Sequence, residues 1–235
     1  MSEPAQRQSM YSDGTYLENH PTWHAEHAPW KAAKIDGILR RNAVAPKSIG
    51  EVGCGSGGIL AALQEMRPES RFTGFEFSPQ AFEICRTRAR DGLEFRCEDI
   101  LRTDFSCDVL LAIDVFEHVE DYMGFLRKLR GRAAFTVFHI PLELSAQTVL
   151  RESALRSTRA KSGHLHYFTK FTALATLTDC GYEIADWEYT ARSLDLSGEG
   201  WKAALLHGPR RGLFALNKDL ASALLGGFSL LVLAK

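Results

Sequence analysis

Glu51 stands two residues ahead of a glycine cluster, Gly53-Cys54-Gly55-Ser56-Gly57-Gly58. The apolar run from Ile49 to Val52 enters this segment, and a helical pattern from Ile59 to Met66 leaves it. That order predicts a strand, a tight turn and a helix N-terminus. Glycine lets the backbone turn sharply and lets a ligand approach the main chain. The free N–H groups of a helix start point at whatever lies in front of them. The chemistry implied is the holding of a nucleotide-type cofactor. Gly53, Gly55 and Gly58 fit the dinucleotide spacing G-x-G-x-x-G, and Glu51 with Gly53, Gly55 and Gly57 fits E-x-G-x-G-x-G. A carboxylate repels a pyrophosphate and attracts an ammonium. Glu51 therefore favours S-adenosylmethionine, which carries an ammonium, a sulfonium and no phosphate, over a nicotinamide dinucleotide.

Further acids follow at intervals. Glu76 ends the run from Arg71 to Phe75 and precedes Ser78-Pro79, a helix-start pair. It sits near the offset of about 20 residues expected of a ribose-binding carboxylate. The segment from Leu93 to Ile100 alternates like a strand and closes on Glu98 and Asp99. The run from Cys107 to Asp114 is mostly apolar, as a strand covered on both faces should be. His118, His139, His164 and His166 lie downstream, and imidazole is the side chain that titrates near neutrality.

These residues need a scaffold. A helix from Tyr122 to Arg130 and a fifth strand from Ala133 to Pro141 continue the alternation of strand and helix, which implies parallel strands joined by right-handed crossovers. The expected fold is α/β, a Rossmann-like doubly wound seven-stranded sheet, mostly parallel, with one antiparallel C-terminal strand from Phe228 to Ala234. Ligands in such sheets bind beyond the carboxyl ends of the strands, where Glu51, Glu76, Asp99, Asp114 and His139 all fall. Residues 1–44 form an expected helical arm or lid rich in aromatics and histidines (Tyr11, Tyr16, Trp23, Trp30, His20, His24, His27), with a helix from Trp30 to Arg40 and Pro29 or Pro21 near its start. Residues 45–235 form the main domain, with insertions at 142–163 and 193–219. The first insertion carries Arg151, Arg156, Arg159 and Lys161, and the second Trp201, Lys202, Arg210 and Arg211. The first set are candidates for recognising an anionic substrate group, with a solvated helix face as the plainer reading, and the second insertion is a candidate wall of the substrate pocket.

Composition narrows the classes. The 235 residues are 45% hydrophobic and carry a formal net charge of −1, so no global basic field recruits nucleic acid or an anionic membrane. Cys54, Cys85, Cys97, Cys107 and Cys180 contain no C-x-x-C pair and read as reduced core thiols of a cytoplasmic protein. The polar N-terminus lacks a signal-peptide core, and the apolar stretch from Ala221 to Ala234 is broken by Gly226-Gly227, so no membrane span is expected. His24 with His27 and His164 with His166 lack clear further ligands, and no metal is expected. A monomer or homodimer is expected.

Glu51-Val-Gly-Cys-Gly-Ser-Gly57, Glu76, Glu98-Asp99-Ile100 and Asp114-Val-Phe-Glu117-His118-Val, taken in order, resemble the successive motifs of class I S-adenosylmethionine-dependent methyltransferases of the small-molecule type. The segment from Gly163 to Lys170 is similar to that group's G-H-x-x-x-F-T, and Cys180-Gly181-Tyr182 to its turn into strand six. The resemblance covers roughly residues 45–190. It implies that Glu51 binds the methionine ammonium, that Gly53, Gly55 and Gly57 bring backbone close to it, and that Glu76 holds the ribose. It also implies that Asp99 accepts from the adenine amino group, that Phe77 and Ile100 flank the adenine, and that Asp114 and Val115 line the methionine arm. Family members often carry Asp where this chain has Glu76.

The cofactor sets the expected reaction, an in-line methyl transfer to a small-molecule acceptor in which the protein mainly positions the reactants. Where the acceptor must lose a proton, His118, His139 and His164 are candidate bases. His139 and His164 are favoured and expected to meet over the transferring methyl. A noncatalytic S-adenosylmethionine-binding regulator, an RNA or protein methyltransferase and a nicotinamide oxidoreductase remain as alternatives, the last opposed by Glu51 and the Glu117-His118 segment. The missing N-P-P-Y-like or D-P-P-Y-like tetrapeptide after strand four disfavours base N-methylation.

Overall fold

The computed structural model describes residues 15–19, 22, 23, 25–196 and 201–235, without the side chains of residues 15, 193 and 201–206. Tyr11, His20, Pro21, His24 and the side chains of Trp201 and Lys202 lie outside the described residues. The chain runs through helices α1 (Thr15–Asn19) and α2 (Ala28–Arg41), strand β1 (Ser48–Val52), α3 (Gly58–Met66), β2 (Arg71–Phe75), α4 (Pro79–Cys85), β3 (Leu93–Arg96) and β4 (Cys107–Ile113). It continues through α5 (Tyr122–Leu129), β5 (Ala133–Leu142), α6 (Ala146–Leu150), α7 (Ser153–Ser162), α8 (Lys170–Asp179) and β6 (Ile184–Thr190). Helices α9 (Arg192–Asp195), α10 (Trp201–Leu216) and α11 (Lys218–Leu225) precede β7 (Phe228–Ala234).

The seven strands make one sheet in the order β3-β2-β1-β4-β5-β7-β6. Only β7 runs antiparallel to its neighbours, as the sequence predicts. The period of two along a strand sends alternate side chains to opposite faces, and in β4 both faces are apolar. Val109, Leu111 and Ile113 join one core with Ile35, Ile38 and Leu39 of α2 and Leu60 and Leu63 of α3. Leu110 and Ala112 join the other with Leu126 and Leu129 of α5 and Ala173 and Leu177 of α8. Two helical layers on a parallel sheet require such double-faced central strands.

The helix starts follow local chemistry. Ser78 caps α4 by accepting from the Ala81 N–H with Pro79 behind it, Asp121 caps α5 through the Gly124 N–H at 2.9 Å, and Thr169 with Thr172 forms a capping box at α8. Asp36 of α2 ties the two helices of its layer together, pairing with Arg67 at 2.6 Å just beyond α3.

Three expectations change. The third strand stops at Arg96, short of its acids, because Asp99 turns its Oδ1 onto the Leu101 N–H at 2.9 Å and starts a 3-10 turn instead. Cys97 is consequently exposed, whereas Cys54, Cys85 and Cys180 are buried and Cys107 is half-buried. Arg210 faces inward, its guanidinium donating to the carbonyls of Leu225 and Gly226 and lying over the Phe228 ring at 5.2 Å. It holds α10 to the start of β7. No helix of the described residues is long and apolar enough to cross a membrane.

Candidate cofactor and acceptor cleft

From β1 the strand order runs outward to β2 and β3 on one side, and to β4 and β5 on the other. Such a switch point leaves a crevice at the strand ends. A cleft of about 1250 Å3 opens there, lined by the glycine loop and by Glu51, Glu76, Asp114, His118 and His164.

The glycine loop has two sides. Gly57, at φ +72°, caps α3 in the left-handed region, and a Cβ on it would lie 2.6 Å from the Phe95 ring. Gly55, at φ +53°, faces the cleft, where an added Cβ would meet only the Trp23 ring at 3.7 Å. Trp23 in turn lies against Tyr16, with ring centroids 4.6 Å apart. The Trp23 Nε1 is buried without a hydrogen-bond partner among the described residues.

The acids predicted at the strand ends divide by environment. Glu76 is buried, and its Oε2 accepts from the Gly55 N–H while its Oε1 accepts from the Ser78 N–H, both at 2.8 Å. Burial pushes its carboxyl above the usual range, and these backbone donors oppose the shift. A carboxylate oxygen has two lone pairs, so each keeps capacity for a ribose hydroxyl. Glu51 is 2% exposed, and its Oε2 has no partner among the described residues. Burial drives its carboxyl well above the usual range, with the Lys31 charge acting against it. A buried acid left in that condition is costly, and a bound ammonium relieves it. The donor set thus fits the methionine end of S-adenosylmethionine. Phe77 is 54% exposed, and Ile100 is fully buried in the core while still bordering the cleft. Asp99 is on the same wall.

Asp114 adopts φ +53° just after β4, an unusual conformation for a residue with a side chain. Its Oδ1 meets His139 Nδ1 at 2.6 Å and its other oxygen accepts from the Lys31 ammonium. Burial alone would raise this carboxyl, but His139 and Lys31 outweigh it and hold it far below the usual carboxylate range. His139 also contacts Thr190 Oγ1 through Nε2 at 2.9 Å. Both of its nitrogens are thus engaged, and the Trp30 ring stands edge-on to it at 6.4 Å.

His139 and His164 both line the cleft, each with its own partners. His164 packs edge-on against His118, with ring centroids 4.6 Å apart, and its Nδ1 meets Glu143 Oε2 at 2.8 Å. His166 is used to fix the chain, its Nε2–H donating to the Val119 carbonyl at 2.9 Å. The Glu117 carbonyl accepts from the Leu165 N–H at 2.8 Å, clasping the Gly163 segment onto the turn after β4. The Glu117 carboxylate itself is 1% exposed, and neither oxygen has a hydrogen-bond partner in another described residue. Burial, reinforced by the Asp114 charge, pushes it well above the usual range.

Lys31, Thr190 and Glu143 escape sequence reasoning. Glu143 had a signal, being the residue immediately beyond the end of β5. Lys31 and Thr190 had none, because their partners are set by tertiary packing.

Residues 51–134 match the methyltransferase-domain family. The solved structure of a putative methyltransferase in complex with the Haloferax volcanii Trm112 activator superposes with a TM-score of 0.65 at 17% identity, covering 97% of this chain and 96% of that one. Magnesium protoporphyrin IX methyltransferase from Synechocystis PCC 6803, solved with bound S-adenosylhomocysteine, gives a TM-score of 0.62 at 14% identity, covering 99% of each chain. This chain has a class I S-adenosylmethionine-dependent methyltransferase fold. A malonyl-[acyl-carrier protein] O-methyltransferase of Bacillus cereus is 33% identical over 82 residues, which is 34% of this chain and 30% of that protein. The family match holds the glycine loop and the turn after β4, while α6, α7, α9 and α10 lie outside it.

Proposed function

We propose that the protein transfers a methyl group from S-adenosylmethionine to a small-molecule acceptor, in the cytoplasm. The observation that carries the reading is Glu51, a buried carboxylate with an unpartnered oxygen beside the open face of the glycine loop. The cofactor, when bound, supplies a methyl group on a sulfonium. Glu51 binds its ammonium, Glu76 its ribose hydroxyls, and the backbone at Gly53 and Gly55 lies along its methionine arm. Asp99 takes the adenine amino group, with Phe77 and Ile100 beside the ring. Asp114, fixed by Lys31 and His139, and Val115 close the arm's far side. His139 acts by holding Asp114, which leaves His118 and His164 as the imidazoles that face the acceptor. The interior thiols Cys54, Cys85 and Cys180 suit a reducing compartment.

Calorimetry tests the cofactor directly. S-adenosylmethionine and S-adenosylhomocysteine should bind, and NAD should not. Binding an ammonium beside Glu51 lowers a pKa that burial has raised, so cofactor binding should release protons, read as a binding heat that varies with the ionisation enthalpy of the buffer. Glu51→Gln should abolish the release and weaken binding about ten-fold. Preferential NAD binding, or proton release that survives Glu51→Gln, would overturn the assignment.

The pair Tyr16 and Trp23 serves as a lid over the loop, supported by the Trp23 ring standing 3.7 Å from where a Cβ on Gly55 would lie and by its packing on Tyr16. S-adenosylhomocysteine should therefore change tryptophan emission in the parent protein and leave Trp23→Phe nearly silent. An equal response in both proteins would take Trp23 out of the cofactor site.

A further inference from the structure

We propose that Glu117, His118 and His164 form a divalent transition-metal site on the acceptor side of the cleft, with Glu143 as the carboxylate that orients His164. The inference deepens the methyltransferase reading by giving the acceptor a metal to bind, but the site itself stands on separate observations. Each of the three residues offers one ligand atom, and these atoms lie within 4.8 Å of one another. A single ion bonded to imidazole nitrogen and carboxylate oxygen at about 2.0–2.2 Å holds tetrahedral ligands roughly 3.3–3.6 Å apart, so the three atoms need only draw in modestly to share one.

The second observation is independent of that spacing. Glu117 is buried on a turn held from both sides, and both of its oxygens lack a partner in another described residue. The fold thereby keeps a negative acceptor-only group out of water without supplying a donor. That arrangement is costly unless a proton or a cation compensates it. Asp114, three residues earlier, does not resolve this, because its carboxylate is itself an acceptor, paired with Lys31 and His139.

The third is the support around His164. Its Nδ1 faces Glu143 Oε2 at 2.8 Å. A metal-ligating histidine characteristically gives its second nitrogen to a carboxylate, which sets the tautomer and raises the basicity of the other nitrogen. Glu143 therefore leaves Nε2 of His164 as the ligating atom. Two imidazoles with one carboxylate suit Zn2+, Fe2+, Co2+ or Mn2+ better than Ca2+ or Mg2+, which prefer all-oxygen shells. Three protein ligands leave positions open for an acceptor with oxygen donors, such as a carboxylate or a pair of adjacent hydroxyls. Sequence reasoning expects no metal, since it pairs His164 with His166 along the chain. The structure instead brings His164 to His118, from the turn after β4.

Titration of the full-length, metal-stripped protein with Co2+ tests the site, followed by calorimetry and by the visible absorption of bound cobalt. One equivalent should bind, with nitrogen-ligated d–d bands and a raised melting temperature. Glu117→Gln, His118→Ala and His164→Ala should each weaken that binding at least ten-fold, and Glu143→Gln should weaken it less. S-adenosylhomocysteine affinity should change little in the same variants, which separates failure of this site from failure of the cofactor assignment. Should Glu117→Gln not fold, the two histidine variants and the parent's cobalt spectrum decide the matter. Absence of binding by the folded parent at millimolar Co2+, or binding that all the variants retain, overturns the proposal.

Discussion

Replacing Gly57 by alanine should lower the melting temperature by roughly 10 °C. The residue has φ +72°, and a left-handed conformation costs an ordinary residue roughly 1–2 kcal/mol. The added Cβ would lie 2.6 Å from two carbons of the Phe95 ring and 2.9 Å from Cys85 Cβ. The ring has little room to retreat, since a Cβ on Gly74 would also lie 2.6 Å from it. Overpacking of this kind adds about 1–3 kcal/mol. The total of about 3–4 kcal/mol translates into roughly 2–4 °C per kcal/mol for a chain of this size. Gly55→Ala is the internal comparison. It meets the same conformational strain, but among the described residues only Trp23, at 3.7 Å, stands near its Cβ, so it should cost about 1 kcal/mol in stability and act instead on cofactor affinity. Thermal unfolding of the two variants, with and without S-adenosylhomocysteine, measures both effects. Equal losses of stability would mean that packing against Phe95 is not what requires glycine at residue 57.

Asp114→Asn should destabilise the fold by about 3 kcal/mol, the scale of breaking a largely buried ion pair from one side. Asparagine tolerates the left-handed backbone, so the change isolates the charge. It leaves Lys31, whose side chain is 16% exposed, and His139, at 6%, without their common carboxylate. The sign of the pH dependence follows from the depressed pKa. The contribution is fully present above 3.8, the ordinary aspartate value, and is lost as the pH falls below it toward the folded-state value. Denaturant unfolding of parent and variant should therefore show a gap that is constant near neutrality and narrows below that value. A gap that persists undiminished at pH 2 would assign the loss to shape rather than charge.

The sheet and most of its acids are legible in the sequence because their signals are local. A glycine turn between an apolar run and a helical pattern identifies β1 and α3, and a continuous apolar run marks β4 as covered on both faces. Ser78-Pro79 starts a helix wherever it stands. Partnership between distant side chains is another matter. Nothing near Lys31 announces Asp114, 83 positions away, and nothing near His139 announces Thr190, 51 positions away. His139, one of the two histidines favoured for proton transfer, thus has both nitrogens engaged. Glu117 was visible as part of a motif, but its want of a partner exists only once the surrounding layers are packed.

The position of β7 bears on how the molecule is made. It lies between β5 and β6 yet follows both in the chain. Until residues 228–234 have left the ribosome, β5 presents an unpaired apolar edge and β6 has nothing to join. The nascent protein therefore carries an open, aggregation-prone margin through the synthesis of α8 to α11. A pause or truncation before Phe228 would also leave Thr190, at the end of β6, unable to reach His139 across the missing strand. Completion of the sheet and the bracing of His139 by Thr190 are in this sense coupled, since both wait on residues 228–234.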